Sequence, residues 1–179
     1  VFKRYGHETV SFASELWRKD CAKAMQQFIA HMENSPYSDR IVGYQPSAGG
    51  SYEWMYHGGQ DSAFLDYSEP TVKAFQNWLK KKYKNDVSLL RQAWKNTEVS
   101  FDTAYIPLKA LREQSSLGAI RDPEREMPVI DYYIFLSELT VDTIDYFCKI
   151  VKDTTKNTKL AGVFYGYILE QMYGGYCTQ

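Results

Sequence analysis

The sequence predicts an α/β fold in which parallel strands are joined by long helices. Helical stripes, with apolar residues every three or four positions, alternate with short β-branched runs. Both runs, residues 40–45 and 160–168, follow directly after a helical stripe and have the composition of strands that are buried on both faces. Strands that are reached from helices in this way pair in parallel through right-handed crossovers.

Length and composition favour a single globular domain over residues 1–179, with 44% hydrophobic residues and a net charge of -1. One domain takes about 100 to 200 residues, so one core is expected. The balanced charge provides no basic field for nucleic acid. No apolar run reaches the roughly 18 residues of a membrane-spanning helix. We therefore expect neither nucleic acid nor membrane as a partner, and the abrupt ends predict a fragment of a longer chain.

The first half of the chain predicts a helix, a strand and a loop that is rich in functional side chains. A helix over residues 12–32 is indicated by its apolar stripe and ends before Pro36. The strand over residues 40–45 leads into residues 46–59, where glycines alternate with polar aromatic side chains. Such a loop combines backbone freedom with chemistry.

The second half predicts three more helices and a second strand. Ser68 begins one helix that runs to Tyr83, and Asp86 begins a shorter one. Residues 97–122 are predicted to be irregular. A long helix, or two abutting ones, follows from Pro128 to about residue 157. The strand over residues 160–168 ends two positions before Glu170.

The loop after the first strand contains the strongest candidate for chemistry, Glu53. Active sites of parallel α/β folds lie beyond the carboxyl ends of the strands. The neighbours Tyr52, Trp54, Tyr56 and His57 provide flat apolar faces with polar edges, which suit a sugar ring and its hydroxyls. From composition alone, an ordinary surface loop remains the alternative.

Other reactive residues lack a recognisable arrangement. The three cysteines and three histidines have no metal-ligand spacing, and the glycine pairs lack the pattern of a nucleotide-binding loop. Asp61, Asp66 and Asp122 suit either sugar hydroxyls or the turns and helix starts in which they lie. The sequence therefore predicts no metal and no cofactor.

Taken together, several segments resemble the glycoside hydrolases of the family 42 β-galactosidase kind, within the large clan of retaining (β/α)8 enzymes. The resemblance rests on residues 11–20 (SFASELWRKD), 41–45 (IVGYQ), 49–54 (GGSYEW), 66–68 (DYS), 75–79 (FQNWL), 121–123 (RDP), 129–133 (VIDYY) and 162–167 (GVFYGY). Their order and spacing extend over nearly the whole chain.

This resemblance implies part of a (β/α)8 TIM-type barrel, because a complete barrel needs at least about 200 residues. It also implies two catalytic carboxylates, of which Glu53 matches the acid/base. These enzymes usually have Asn before that glutamate, whereas this sequence has Tyr52. The nucleophile is expected downstream of the last residue, so Glu170 is interpreted as a substrate-contacting or structural residue. The implied substrate is a carbohydrate, and the fragment alone is expected to be inactive.

Two alternatives stay open at this point. A carbohydrate-binding or scaffold protein would keep the aromatic cleft but have no second carboxylate within reach of Glu53. An unrelated α/β domain would bury Trp54 and Tyr56 in its core. Since a partial barrel exposes strand edges and apolar helix faces, we also expect self-association, as a homo-oligomer or within a larger parent protein.

Overall fold

The computed structural model describes residues 2–4, 7–48, 53–54, 66–117 and 120–165. Helices make up most of these residues, and the strands are short. The helices are α1 Glu15–Glu33, α2 Glu69–Lys82, α3 Val87–Trp94, α4 Lys109–Glu113 and α5 Pro123–Thr154; the strands are β1 Phe2–Arg4, β2 His7–Thr9, β3 Gly43–Tyr44 and β4 Leu160–Ala161.

The two predicted strands do pair, and they pair in parallel as expected. Gly43 lies opposite Leu160 in the register of β3 and β4. Position 43 requires glycine, because a Cβ there would lie 2.6 Å from the carbonyl oxygen of Leu160. Both strands are shorter than predicted: residues 38–40 form a 3₁₀ turn, and each strand has only the other as a parallel partner within the described residues.

A closed barrel is not seen in the part of the chain that the structure describes. It contains one parallel pair, together with an antiparallel hairpin of β1 and β2 that the sequence analysis did not predict. The α/β expectation is therefore confirmed for the parallel pair and its long connecting helices, while the described residues as a whole are mainly helical.

The predicted helices are present, and the starts of α1 and α3 are capped by a side chain, whereas Ser68 at the start of α2 makes no capping hydrogen bond. The Ser14 hydroxyl accepts a hydrogen bond from the Trp17 amide at 3.3 Å at the start of α1. Asp86 accepts one from the Ser88 amide at 2.9 Å at the start of α3. The short helix α4 lies within the segment that was predicted to be irregular.

Helix α5 begins earlier than predicted and is interrupted near its start. It begins at Pro123 instead of Pro128, and Glu126 departs from helical geometry with φ -122° and ψ 17°. Pro128 accounts for the interruption, because it has no amide hydrogen to donate to the preceding turn and its ring crowds the residues before it. From Pro128 the helix runs to Thr154, three residues short of the predicted end. The predicted apolar stripe, which included Ile134 and Val141, is wrong: these two residues are 41% and 51% exposed, and Phe135 and Phe147 are buried instead.

The described residues fall into two compact units. The first includes residues up to Ala13 and those from Asp66 to Glu138, and the second includes residues 14–54 and 139–165. The single domain over residues 1–179 stays a prediction.

The first unit is built around aromatic side chains and a buried carboxylate. Phe75 is fully buried and its ring lies 5.4 Å from that of Tyr132. Asp131 is also fully buried and accepts hydrogen bonds from the Tyr83 hydroxyl and the Trp94 indole, both at 2.7 Å, and from Lys82. These donors satisfy the Asp131 carboxylate, so it serves to join α2, α3 and α5.

None of the described helices combines the length and the apolar character that crossing a membrane requires.

Candidate active site

Glu53 lies in the second unit, at the carboxyl end of the parallel pair. Its neighbour Trp54 donates its backbone amide hydrogen to the carbonyl of Phe164 at 3.0 Å, and Phe164 follows β4. The chain at Glu53 therefore follows β3 and is attached to the segment that leaves β4. This is the end of the strands at which parallel α/β proteins place their active sites.

The Trp54 side chain is buried and contacts both the segment after β3 and helix α5. Its indole nitrogen donates to the carbonyl of Pro46 at 2.9 Å, and its ring centroid lies 5.7 Å from that of Phe147 on α5. Only 2% of Trp54 is exposed. The sequence analysis predicted an open aromatic face at this position, whereas the described residues place the ring in the packing beneath Glu53.

The Glu53 carboxylate has one buried oxygen that lacks a hydrogen-bond partner. Glu53 as a whole is half-buried, and its Oε2 finds no partner among the residues that the structure describes. A buried oxygen of this kind is costly unless a proton or a ligand group satisfies it. Within the described residues, Oε2 therefore has hydrogen-bonding capacity that the protein does not use.

Four of the predicted site residues lie outside the described residues. They are Tyr52, Tyr56, His57 and Glu170. The structure therefore brings Glu53 and Trp54 together at the strand end and describes neither the remaining aromatic neighbours nor the second candidate carboxylate. Their roles stay predictions.

Two aromatic residues at this strand end were not singled out by the sequence analysis. Phe164 is 55% exposed and Tyr165 is 43% exposed, and both follow β4. Aromatic rings suit stacking on sugar rings, and these two are adjacent to the strand end at which Glu53 lies. The signal was present in the sequence as the aromatic run at the end of the second strand.

Polar contacts attach β3 to the end of α1 and the turn before β3 to the residue before β4. The Tyr44 hydroxyl donates to Glu33 Oε1 at 2.6 Å, and burial together with this carboxylate raises the pKa of Tyr44 to about 12. Lys159 Nζ donates to the carbonyls of Ser38 at 2.6 Å and Ile41 at 2.8 Å. Lys159, the residue before β4, thereby holds the turn that precedes β3. This contact helps to fix the position of the two strands beyond which Glu53 lies.

Two of the loop aspartates have structural contacts. Asp66 is fully buried and accepts a hydrogen bond from the Ser68 amide at 2.9 Å, and Asp122 accepts one from the Glu124 amide at 2.9 Å. The Asp122 contact caps the start of α5, and the Asp66 contact forms a turn directly before α2. Asp61 lies outside the described residues. Within the described ranges, no group of three or more His, Cys, Asp or Glu side chains is arranged to hold a metal ion.

Comparisons with known proteins identify the family. Searches of curated proteins and of solved structures returned no match. A family model described as beta-galactosidase, glycoside hydrolase family 42, matches residues 3–174. This confirms the resemblance drawn from the sequence segments and excludes the unrelated α/β domain, although Trp54 is buried as that alternative expected. Since the match covers nearly all of the 179 residues, the chain belongs to glycoside hydrolase family 42, the beta-galactosidases.

Proposed function

We propose that this chain supplies the acid/base carboxylate of a retaining β-galactosidase and that Glu53 is that residue. The observation that carries the proposal is the Glu53 side chain at the carboxyl end of the β3–β4 pair, with a buried oxygen that has no partner among the described residues. Family membership supports a β-linked carbohydrate as substrate. The parallel pair is proposed to be part of a (β/α)8 barrel.

The proposed reaction has two steps. In the first, Glu53 gives its proton to the glycosidic oxygen while a second carboxylate attacks the anomeric carbon. The bond between that carbon and the glycosidic oxygen breaks, and its electron pair leaves with the protonated alcohol. In the second step, Glu53 takes a proton from water, the water oxygen attacks the anomeric carbon, and the bond to the second carboxylate breaks.

The second carboxylate is proposed to come from a strand downstream of this chain. The strand that precedes Glu170 comes too early in the order of barrel strands to carry the nucleophile, so we propose that Glu170 contacts the substrate. Tyr52, Tyr56 and His57 are proposed to shape the sugar subsite, and the exposed rings of Phe164 and Tyr165 add apolar surface near the same strand end. None of these steps requires a cofactor.

The test compares the natural protein with its Glu53→Gln variant on a panel of aryl β-glycosides that includes β-galactosides. On glycosides with poor leaving groups, which depend on protonation, loss of a general acid is expected to lower kcat/KM by about 10²- to 10⁴-fold. Glu15→Gln is the matched control, since Glu15 lies in the same unit and its side chain is 86% exposed. The control should keep full activity.

Two outcomes would count against the proposal. If the Glu53→Gln variant keeps the kcat/KM of the natural protein on glycosides with poor leaving groups, Glu53 is not the acid/base. If neither protein turns over any glycoside but both bind galactose, the chain belongs to a binding protein that has kept the fold of the hydrolases.

A further inference from the structure

We infer that Trp54 is a positioning residue that fixes the Glu53 carboxyl for proton transfer; this inference rests on the proposed role of Glu53. Trp54 joins three separate parts of the second unit. Its indole N–H reaches Pro46, its backbone amide reaches Phe164, and its ring packs on Phe147. Glu53 is the residue immediately before it.

The indole hydrogen bond closes the loop that carries Glu53. Pro46 follows β3, is buried, and accepts the indole N–H at 2.9 Å. This one side chain therefore links Trp54, next to Glu53, to a residue that lies two positions after β3. A loop is a less precise support for a catalytic group than a strand, so such a closure compensates for the position of Glu53 in a loop.

The backbone hydrogen bond ties the closed loop to the neighbouring strand. The Trp54 amide donates to the Phe164 carbonyl at 3.0 Å beyond the end of β4, where the β3–β4 ladder has ended. It thereby extends contact between the two chain segments past the last ladder pair, Tyr44 and Ala161. The peptide group between Glu53 and Trp54 takes its position from this bond.

Only tryptophan supplies both the packing and the donor at this position. A phenylalanine would keep an aromatic ring against Phe147 but would leave the buried Pro46 carbonyl without its indole donor. The loop would then be free to shift, and a displacement of about 1 Å at a reacting group can lower the rate by about 100-fold. The expected effect is therefore on the chemical step that needs the Glu53 proton.

The test uses the Trp54→Phe variant and two β-galactosides that differ in their need for a proton. A methyl β-galactoside has a poor leaving group and depends on general acid catalysis, whereas a dinitrophenyl β-galactoside leaves without protonation. We expect kcat/KM for the methyl galactoside to fall by about 10- to 100-fold. The value for the dinitrophenyl galactoside should change little.

Trp17→Phe is the matched control. The Trp17 ring packs on the same Phe147 ring, at 5.5 Å between centroids, but it lies on α1 and away from the Glu53 loop. This variant should lower the melting temperature and leave the ratio of the two kcat/KM values unchanged. An equal loss on both substrates in Trp54→Phe, as in the control, would overturn the inference.

A second variant covers the case in which Trp54→Phe does not fold. Phe147→Leu keeps the indole and its hydrogen bond but removes the ring against which the indole packs. It should show the same selective loss on the methyl galactoside, and an unchanged ratio would overturn the inference. Glu53→Gln, measured alongside, separates the two claims. If this variant shows no selective loss of kcat/KM on the methyl galactoside, the proposed function fails. If it shows that loss and the Trp54 and Phe147 variants do not, only the role of Trp54 fails.

Discussion

Two carboxylates of this chain, the fully buried Asp131 and the half-buried Glu53, differ in their hydrogen-bond partners. Asp131 accepts hydrogen bonds from Lys82, Tyr83 and Trp94, so both of its carboxylate oxygens have partners within the protein. Glu53 has a buried Oε2 with no partner within the described ranges. Because burying an unsatisfied oxygen is costly, such an atom points to a use outside folding. The difference in partners, more than burial itself, identifies Glu53 as the candidate for chemistry.

Tyr44 leads to a prediction about stability at high pH. Burial and the Glu33 carboxylate raise its pKa from 10.0 to about 12. The folded protein therefore holds this proton more tightly than the unfolded chain, and the resulting stability is fully present below pH 10 and lost as pH rises to about 12. Tyr44→Phe should be less stable than the natural protein below pH 10 and should lose less stability between pH 10 and 12.

Urea denaturation of both proteins across this pH range measures the difference. Tyr83 and Tyr132, whose pKa values are also raised by burial, are present in both proteins, so their contribution cancels. Parallel stability curves for the two proteins would show that the Tyr44 hydroxyl titrates alike in the folded and unfolded chains.

The sequence indicated Glu53 as a candidate but did not indicate the contacts that hold its neighbour Trp54 in place. The position of Glu53 beyond the end of a parallel strand could be predicted, because the strand composition of residues 40–45 precedes it, and its catalytic role stays a proposal. The burial of Trp54 could not be predicted, because tryptophan suits both an open sugar platform and a packed interior. Its partners Pro46, Phe147 and Phe164 are also distant in sequence, and only the fold brings them together.

Three helices end in the same way, on a Lys-Asn pair. Lys84, Lys95 and Lys156 have positive φ values of 52°, 48° and 51°. After each of them, the asparagine amide donates to a carbonyl five residues back, in the pattern of the Schellman motif. These bonds join Asn85 to Lys80, Asn96 to Arg91 and Asn157 to Lys152. The repeated pair therefore acts as a local stop signal.

Lysine is not the preferred residue at these positions, which gives a prediction for α5. The left-handed conformation costs a residue with a Cβ about 1 kcal/mol, and glycine avoids that cost. Lys156→Gly should therefore raise the free energy of unfolding by about 1 kcal/mol. Lys149→Gly, at an exposed position inside the same helix, should lower it by about 1 kcal/mol. Chemical denaturation measures both, and destabilisation by Lys156→Gly would contradict this account of the helix end.

Helices could be predicted better than strands for a physical reason. The apolar stripe and caps of a helix lie within one segment, so α1, α2, α3 and most of α5 follow from local sequence. The extent of a strand depends on its partners, and β3 and β4 have only each other in the described residues. Their composition predicted the pairing correctly but overestimated the length.

Over the whole molecule, the parallel pair leaves apolar side chains open to solvent. Val42, which precedes β3, is 74% exposed, and Leu160 in β4 is 65% exposed. Neighbouring strands and helices would cover such positions in a complete barrel. Sequence alone could predict the parallel arrangement and the family but not how much of a barrel these residues form, because barrel closure depends on pairing between strands that are distant in sequence.

These exposed side chains predict that the chain of 179 residues associates with itself. Sedimentation velocity at increasing concentration should show a growing fraction of larger species. Val42→Lys should weaken the association, since a charge at an exposed strand edge opposes pairing between copies. A single monomeric species at all concentrations would contradict the partial-barrel interpretation.

The most direct test of the central claim is the product that the Glu53→Gln variant forms with azide. In the proposed mechanism, the covalent intermediate accumulates when Glu53 no longer activates water, and azide attacks it from the face that the leaving group vacated. Nuclear magnetic resonance of the products from an aryl β-galactoside should therefore identify the β-galactosyl azide, formed faster as azide is added. An α-azide would make Glu53 the nucleophile, and the absence of any azide product would remove Glu53 from the reaction.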